Sequence, residues 1–243
     1  MPSLSRFLTA ALMLSGLSIA SAQYDPIDDL KLNKKEDAVD FKSVPAPEDA
    51  IVLLDGKKWD KWVQRKDGKT APTWKSVAGD AVQVQGGDII TTDSFGGHFK
   101  LHVEFRVPYM PKASGQGRGN SGVYVQGRYE VQILDSYGLD SKDNDCGGIY
   151  TIAKPLVNAC KAPTIWQAYD IEFWSPKCAD GKKTEPGVII VHHNGVLIHD
   201  KVKITKDVTT AGLPGDPCTP GPILLQDHGN PVQYRNIWIQ KLD

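Results

Sequence analysis

The stretch Tyr129–Ser136, YEVQILDS, alternates apolar and polar side chains and therefore predicts a β-strand. Side chains at every second position of a strand share a face. Val131 and Ile133 fall on one face, and Glu130 and Gln132 fall on the other. The pattern predicts a strand with one face in a hydrophobic core and a second face that carries polar groups.

Two neighbouring stretches, Phe99–Val107 and Asn120–Gln126, repeat this alternation. We expect the three strands to lie side by side in one sheet, with a shared polar face made of Glu104, Arg106, Asn120, Tyr124, Glu130 and Gln132. Polar strand faces are most often simply solvated. Solvated faces are usually built from Lys, Thr and Ser, however, whereas this set is made of carboxylates, amides, arginine and tyrosine. We interpret it as a binding groove for a polar ligand.

Residues 1–22 have the pattern of a secretory signal peptide. Arg6 precedes the apolar run Phe7–Ala20, and Ala20-Ser21-Ala22 supplies small residues for cleavage after Ala22. A membrane anchor is the alternative, but it needs about 20 apolar residues, and this run is shorter and interrupted by polar residues. The pattern predicts a periplasmic or secreted protein without a membrane span.

Residues 23–48 read as a polar linker or lead-in, and residues 49–243 as a single domain. Short strand-like runs separated by Gly and Pro, with no long helical periodicity, favour an all-β sandwich. Asn194-Gly195 between two apolar runs predicts a tight hairpin. The net charge of −1 gives no electrostatic reason to expect nucleic acid or an anionic membrane as a partner.

The chain contains four cysteines, and an even number in an exported protein predicts disulfides. Three pairings are possible, and we expect Cys146–Cys160 and Cys178–Cys218. A zinc site is the alternative. It is less favoured because the sequence has no CxxC motif and no histidine spaced with a cysteine as in known zinc motifs.

Five segments together resemble the 3-keto-disaccharide hydrolase family. They are LLDGKKWDKW (53–62), NSGVYVQGRYEVQILDS (120–136), YDIEFW (169–174), VHHNGV (191–196) and LQDHGNPVQYRNIWIQ (225–240). The resemblance covers residues 49–242. It implies a concanavalin A-like (lectin/glucanase-type) jelly-roll β-sandwich of two antiparallel sheets in an exported bacterial protein. It also implies a sugar substrate whose C3 hydroxyl has been oxidised to a ketone by a separate sugar 3-oxidoreductase. The four cysteines and the Gly/Arg-rich loop 112–119 depart from the family pattern.

The polar residues of the shared motifs become the candidate site. Glu104 and Glu130 are candidate general bases, and His228 is a candidate for proton transfer near neutral pH. The candidate substrate-binding residues are Arg106, Asn120, Tyr124, Gln132, Trp166, Gln226 and Asp227. Three of these assignments have structural alternatives: Asp227 as a turn residue, His228 as a buried structural histidine and Trp166 as a core residue.

No cofactor is implied with certainty. A divalent metal ion held among Glu104, Glu130 and His228 is one possibility to test. The acidic loop Asp140–Asp145 offers oxygen ligands for calcium but lacks the EF-hand spacing, and a solvated loop is favoured.

Three functions remain open on the sequence. The first is cleavage of a 3-keto-glycoside, by elimination of the glycosidic oxygen followed by hydration. The second is ordinary glycoside hydrolysis by two carboxylates. The third is a lectin-like module that binds sugar without chemistry, because a fold does not fix a function. We favour the first.

Overall fold

The computed structural model describes residue 24, residues 30–57 and residues 59–242 of the chain. The predicted signal peptide, residues 1–22, lies outside the described residues. Among those that are described, no helix has the length and apolar character needed to cross a membrane.

The described residues form fifteen strands and two short 3₁₀ turns, at Lys35–Ala38 and Gly115–Gly117. The strands are β1 (Ile51–Leu54), β2 (Trp62–Gln64), β3 (Lys75–Val77), β4 (Ala81–Gln83), β5 (Ile89–Thr91), β6 (His98–Arg106), β7 (Ser121–Val125), β8 (Tyr129–Ile133), β9 (Gln167–Trp174), β10 (Lys177–Ala179), β11 (Lys182–Glu185), β12 (Val188–His193), β13 (Val196–Lys203), β14 (Leu224–Leu225) and β15 (Gln233–Lys241).

Two antiparallel sheets face each other. The larger has the order β13-β12-β9-β6-β15-β4-β3, with β1 also paired to β15, and the smaller has the order β2-β5-β14-β7-β8. Strands β10 and β11 form a separate two-stranded ribbon. The expected all-β jelly-roll sandwich is therefore confirmed.

The core lies between the two sheets and is built from the apolar positions of the alternating strands. Val103 and Phe105 of β6 and Val131 and Ile133 of β8 are fully buried in it. Full burial of one such side chain stabilises the fold by about 1.5–3 kcal/mol. The faces that carry the polar residues of β6 and β8 therefore point outward, away from the core.

The expectation that β6, β7 and β8 share one sheet is wrong. Strand β6 belongs to the larger sheet, whereas β7 and β8 pair in the smaller one. Glu104 and Arg106 consequently lie on one outer face of the sandwich, and Tyr124, Glu130 and Gln132 lie on the opposite outer face. The alternation fixes which residues of one strand share a face, but it does not fix which strands pair.

Residues 40–44 of the lead-in lie over the outer face of the larger sheet. The Phe41 amide donates to the Trp166 carbonyl at 2.9 Å, and Asn236 Nδ2 donates to the Val44 carbonyl at 2.7 Å. The Ser43 hydroxyl donates to Glu104. This part of the chain is an extended strap on the domain.

One expected disulfide is confirmed and one is not. Cys178 on β10 is bonded to Cys218, with an S–S distance of 2.05 Å. Cys146 and Cys160 are buried free thiols, so the predicted Cys146–Cys160 bridge is absent.

The predicted hairpin at Asn194-Gly195 is confirmed between β12 and β13. Both turn residues have positive φ values, 54° and 80°, as a type I′ turn requires.

Candidate functional site

A pocket of about 160 Å³ opens on the outer face of the smaller sheet. Five of the residues predicted from the sequence line it: Asn120, Glu130, Gln132, Gln226 and His228. Four more were not predicted: Gln116, Tyr150, Thr210 and Ala211. The alternating face of β7 and β8, continued by the chain after β14, thus forms a concave site.

Glu130 is the carboxylate of this pocket, and it is only 2% exposed. It stands opposite Tyr124 in the β7–β8 pairing. Burial raises its pKa to about 7, although a hydrogen bond from Tyr124 acts in the opposite direction and the charge of Asp88 adds to the rise. A carboxyl with such a pKa exchanges protons readily near neutral pH, which is what a general base or acid requires.

The glycine opposite Gln132 makes room for the Glu130 side chain. A Cβ added at Gly122 would lie 2.5 Å from Glu130 Oε1 and 2.9 Å from a ring carbon of Tyr124. Any larger residue at Gly122 would therefore displace the carboxyl group or the phenol.

Tyr124 connects Glu130 to the neighbouring strand. Its hydroxyl accepts a hydrogen bond from Gln226 Nε2 at 2.9 Å. Burial, and next the nearby Glu130 carboxylate, raise the pKa of Tyr124 well above its usual value, so the phenol stays protonated and donates to Glu130. The orientation of the carboxyl group is thereby fixed.

Three amides form a row beside Glu130. Gln116 Oε1 accepts from Asn120 Nδ2 at 3.1 Å and from Gln132 Nε2 at 3.0 Å, and Gln116 Nε2 donates to the Asn144 carbonyl at 2.8 Å. Asn120 Oδ1 and Gln132 Oε1 are buried and have no hydrogen-bond partner among the described residues. An unpaired buried acceptor costs about 1–3 kcal/mol. Hydroxyl groups of a bound ligand would satisfy these two oxygens.

The segment 209–211 forms part of the pocket wall and is tied to β8. The Thr209 hydroxyl accepts from the Glu130 amide at 3.2 Å and donates to the Arg128 carbonyl at 2.8 Å. Arg65 Nη1 donates to the Ala211 carbonyl and to Asp88, both at 2.8 Å. Asp88, whose charge adds to the rise in the pKa of Glu130, is thus held in an ion pair with Arg65.

His228 lies at the rim of the pocket and is exposed. The alternative of a buried structural histidine is therefore wrong. Its neighbour Asp227 does not face a ligand, because its carboxylate accepts the Gly87 amide at 2.7 Å and the Gly229 amide at 2.8 Å. The structure places Asp227 in the alternative role, as a residue that fixes a turn.

The candidate base Glu104 lies on the far side of the molecule in a saturated ionic network. It is fully buried and accepts from Arg235 Nε and from Asn236 Nδ2, both at 2.7 Å. Burial acts to raise its pKa, but hydrogen bonds from His102, Ser43, Asn236 and Arg235 outweigh burial and lower the pKa to about 2. Glu104 is thus ionised near neutral pH and lies on the other outer face, without access to the pocket of Glu130.

Arg106 and Trp166 also belong to the far side. The Arg106 guanidinium lies 4.8 Å from the Trp166 ring centroid, and the Arg235 guanidinium lies 4.1 Å from it. Arg106 Nε donates to Gln233 Oε1 at 2.8 Å. Trp166 is 4% exposed, so its ring contacts two guanidinium groups and is closed to a sugar. Their predicted role in one groove with Glu130 is not supported.

A metal ion shared by Glu104, Glu130 and His228 is excluded by this geometry, because the two carboxylates lie on opposite outer faces. Within the described ranges, one group of ligand-type side chains is close enough to hold a metal ion, and it consists of Cys146, Cys160 and His193. That group lies in the interior, outside the pocket.

The unpredicted pocket residues come from loops and not from alternating strands. Gln116 lies in the Gly-rich loop 111–119, and Tyr150 follows the acidic loop 140–145. The Tyr150 amide donates to the Glu130 carbonyl at 3.1 Å, a contact between distant positions that no local sequence pattern reveals.

The fold is an antiparallel β-sandwich, and the pocket on its outer face combines a buried carboxyl group with a row of amides, which suits a polar ligand such as a sugar. The sequence comparison makes this specific: residues 49–240 match the family described as the 3-keto-alpha-glucoside-1,2-lyase-like domain. The chain belongs to this family, and the predicted family resemblance is confirmed. A comparison with curated proteins finds no match.

Solved structures agree with this assignment. A candidate glycosyl hydrolase from Parabacteroides distasonis ATCC 8503 is 36% identical, with a TM-score of 0.71 over 82% of this chain and 86% of that chain. A second from the same strain is 20% identical, with a TM-score of 0.57 over 81% and 95% of the two chains, and shows the fold alone. The family and the first relative support a carbohydrate-active protein.

Proposed function

We propose that the pocket on the smaller sheet cleaves 3-keto-glycosides, with Glu130 as the base. The observation that carries the proposal is the buried Glu130 carboxyl, whose pKa of about 7 suits proton removal near neutral pH. The family match to a 3-keto-alpha-glucoside-1,2-lyase-like domain supports the substrate class.

A ketone at C3 of the sugar acidifies the hydrogen at C2. Glu130 takes that proton, and the electrons of the C2–H bond form an enolate on the C3 oxygen. When the ketone re-forms, a C1=C2 double bond appears, the C1–O bond breaks, and the leaving oxygen takes a proton to become an alcohol. Water then adds its oxygen to C1 and a proton to C2, which gives net hydrolysis.

The other pocket residues have roles that follow from their chemistry. His228, exposed at the rim, is the candidate donor to the leaving oxygen. The hydroxyl of Tyr150 is the candidate donor to the enolate oxygen, and loss of one such donor commonly lowers a rate by about 10²–10³. Arg106, on the other outer face, has no part in this step.

The number of carboxylates that line the pocket disfavours ordinary glycoside hydrolysis. That reaction needs two carboxyl groups about 5–9.5 Å apart across the scissile bond. Among the described residues that line the pocket, Glu130 is the one carboxylate. The other candidate, Glu104, is held by Arg235 on the far face.

The proposed substrate must be made by another enzyme before this protein can act on it. An oxidoreductase that converts the C3 hydroxyl of a glycoside to a ketone must supply the substrate. With the signal-peptide pattern of residues 1–22 and the Cys178–Cys218 disulfide, we assign the protein to the periplasm or the exterior of a bacterial cell, after cleavage behind Ala22.

The test compares turnover of a 3-keto-disaccharide with turnover of its unoxidised parent under the same conditions. We expect cleavage of the keto sugar alone. Cleavage of the parent at a comparable rate would indicate ordinary hydrolysis. Saturable binding of either sugar without any turnover would indicate a lectin-like module.

A further inference from the structure

Cys146, Cys160 and His193 form a buried cluster that has no part in the proposed chemistry. One ligand atom from each residue lies within 4.8 Å of the other two. Cys146 and His193 are 3% and 1% exposed, and Cys160 is 9% exposed. Both cysteines are free thiols although the same chain holds a disulfide elsewhere.

The histidine is oriented by a second residue, as metal-binding histidines usually are. Gln167 Oε1 accepts the Lys161 amide at 2.8 Å, which identifies this atom as an acceptor. It lies 3.0 Å from His193 Nε2, so Nε2 carries the proton and donates. His193 Nδ1 is therefore the ring nitrogen with a free lone pair.

We propose that Cys146, Cys160 and His193 Nδ1 bind one thiophilic d¹⁰ metal ion, Zn²⁺ or Cu⁺. Thiolate and imidazole are the donors that these ions prefer. Two thiolates, a neutral imidazole and Zn²⁺ give a net charge of zero, which is the favourable balance for a buried site. With three protein ligands the set also suits Cu⁺.

The ion has a route into the site. Cys160 lines a surface pocket of about 510 Å³, together with Asn158, Lys161 and Asn194. A metal site requires such an entry path in addition to correct ligands. Cys160 borders this pocket, whereas Cys146 and His193 do not line it.

The position of the site gives it a structural role. His193 is on β12 of the larger sheet. Cys146 precedes Gly147 and Gly148, which pair with Gln132 of β8 in the smaller sheet, both at 2.9 Å. A bound ion would therefore link the larger sheet to the segment that is bonded to Gln132, which lines the pocket.

The test measures metal bound to the full mature protein, purified under reducing conditions and dialysed after incubation with Zn²⁺ or with Cu⁺. We expect one ion per chain and a higher melting temperature for the loaded protein, since a ligand that binds only the native state stabilises it. Titration with Co²⁺ should give thiolate-to-cobalt charge-transfer absorption. Preference for Zn²⁺ or for Cu⁺ decides which ion the site holds.

Variants identify the ligands. Cys146→Ser, Cys160→Ser and His193→Gln should each abolish stoichiometric binding. His192→Gln and the double variant Cys178→Ser/Cys218→Ser should retain it, because His192 projects from the other face of β12 and the second pair lies elsewhere. If a variant fails to fold, the thiolate-to-cobalt absorption of the unaltered protein still shows whether cysteine thiolates bind the ion. Folded, reduced protein that binds none of the three ions would overturn the proposal, as would unchanged binding by Cys146→Ser.

Discussion

At the scale of the residue, two carboxylates that look alike in the sequence have opposite chemistry. Glu104 and Glu130 each occupy a polar position of an alternating strand. Hydrogen bonds from His102, Ser43, Asn236 and Arg235 outweigh burial and lower the pKa of Glu104 to about 2. Burial raises the pKa of Glu130 to about 7. Environment, and not residue type, selects the base.

We expect Glu130→Gln to lower kcat for a 3-keto-glycoside by about 10²–10⁴, the usual contribution of a general base. Glutamine occupies the same volume but takes up no proton. The matched control is Glu185→Gln, a change to an exposed carboxylate on β11, and it should leave kcat unchanged. Steady-state kinetics on both variants decide the point. Full activity of Glu130→Gln would remove Glu130 from the mechanism.

The raised pKa of Glu130 also predicts a pH-dependent cost in stability. The folded pKa of about 7 lies above an unfolded value of about 4.3. The group therefore favours folding fully below pH ~4 and loses that contribution as the pH rises towards 7. We compare the free energy of unfolding of Glu130→Gln with that of the parent by chemical denaturation at pH 5 and at pH 8. Relative to the parent, the variant should be about 3 kcal/mol more stable at pH 8 than at pH 5. An equal difference at both pH values would show that the pKa is not raised.

At the scale of the element, the alternation within each strand correctly predicted which of its side chains point away from the core. The hairpin at Asn194-Gly195 was predicted as well. The pairing of strands was not predictable in this way. Strand β7 follows β6 in the chain but lies in the other sheet, and the crossing through loop 107–120 leaves no periodic signal. Loop residues of the pocket such as Tyr150 were missed for the same reason.

In the β7–β8 ladder, Gly122 has no side chain, and this leaves the space that the Glu130 carboxyl group occupies. We expect Gly122→Ala to lower kcat at least tenfold with the fold retained, because the new methyl group would lie 2.5 Å from Glu130 Oε1. Gly117→Ala is the control, since nothing lies within 4 Å of its added Cβ. Circular dichroism checks the fold and kinetics check the site. A fully active Gly122→Ala would show that the carboxyl position is not critical.

At the scale of the whole molecule, the sandwich has two outer faces with different surroundings. The face that carries Glu104 is partly covered by the strap at residues 40–44, whereas the face that carries Glu130 opens into the pocket. The sequence-based prediction merged residues of both faces into one site. Of its ten candidate residues, five line the pocket. The overall fold was still predicted correctly: the short strand-like runs indicated a β-sandwich, and the family resemblance implied its jelly-roll type.

The Cys178–Cys218 disulfide lies away from the pocket and spans 40 residues. We expect the double variant Cys178→Ser/Cys218→Ser to lose about 2–4 kcal/mol of unfolding free energy, through the larger conformational freedom of its unfolded chain. The kcat of the folded variant should stay at the parent value. Urea denaturation and kinetics at a temperature where both proteins are folded measure the two effects. A large loss of kcat would show that the bridge shapes the pocket.

The central claim is that Glu130 removes the proton at C2 of a 3-keto sugar, and the fate of that proton tests it most directly. Cleavage in deuterated water should place deuterium at C2 of the product, and a substrate deuterated at C2 should react more slowly in ordinary water. In Glu130→Gln, the rate at which deuterium appears at C2 should fall in step with the residual rate of cleavage. Complete retention of hydrogen at C2 in deuterated water, together with equal rates for the two substrates, would contradict elimination and indicate direct displacement at C1.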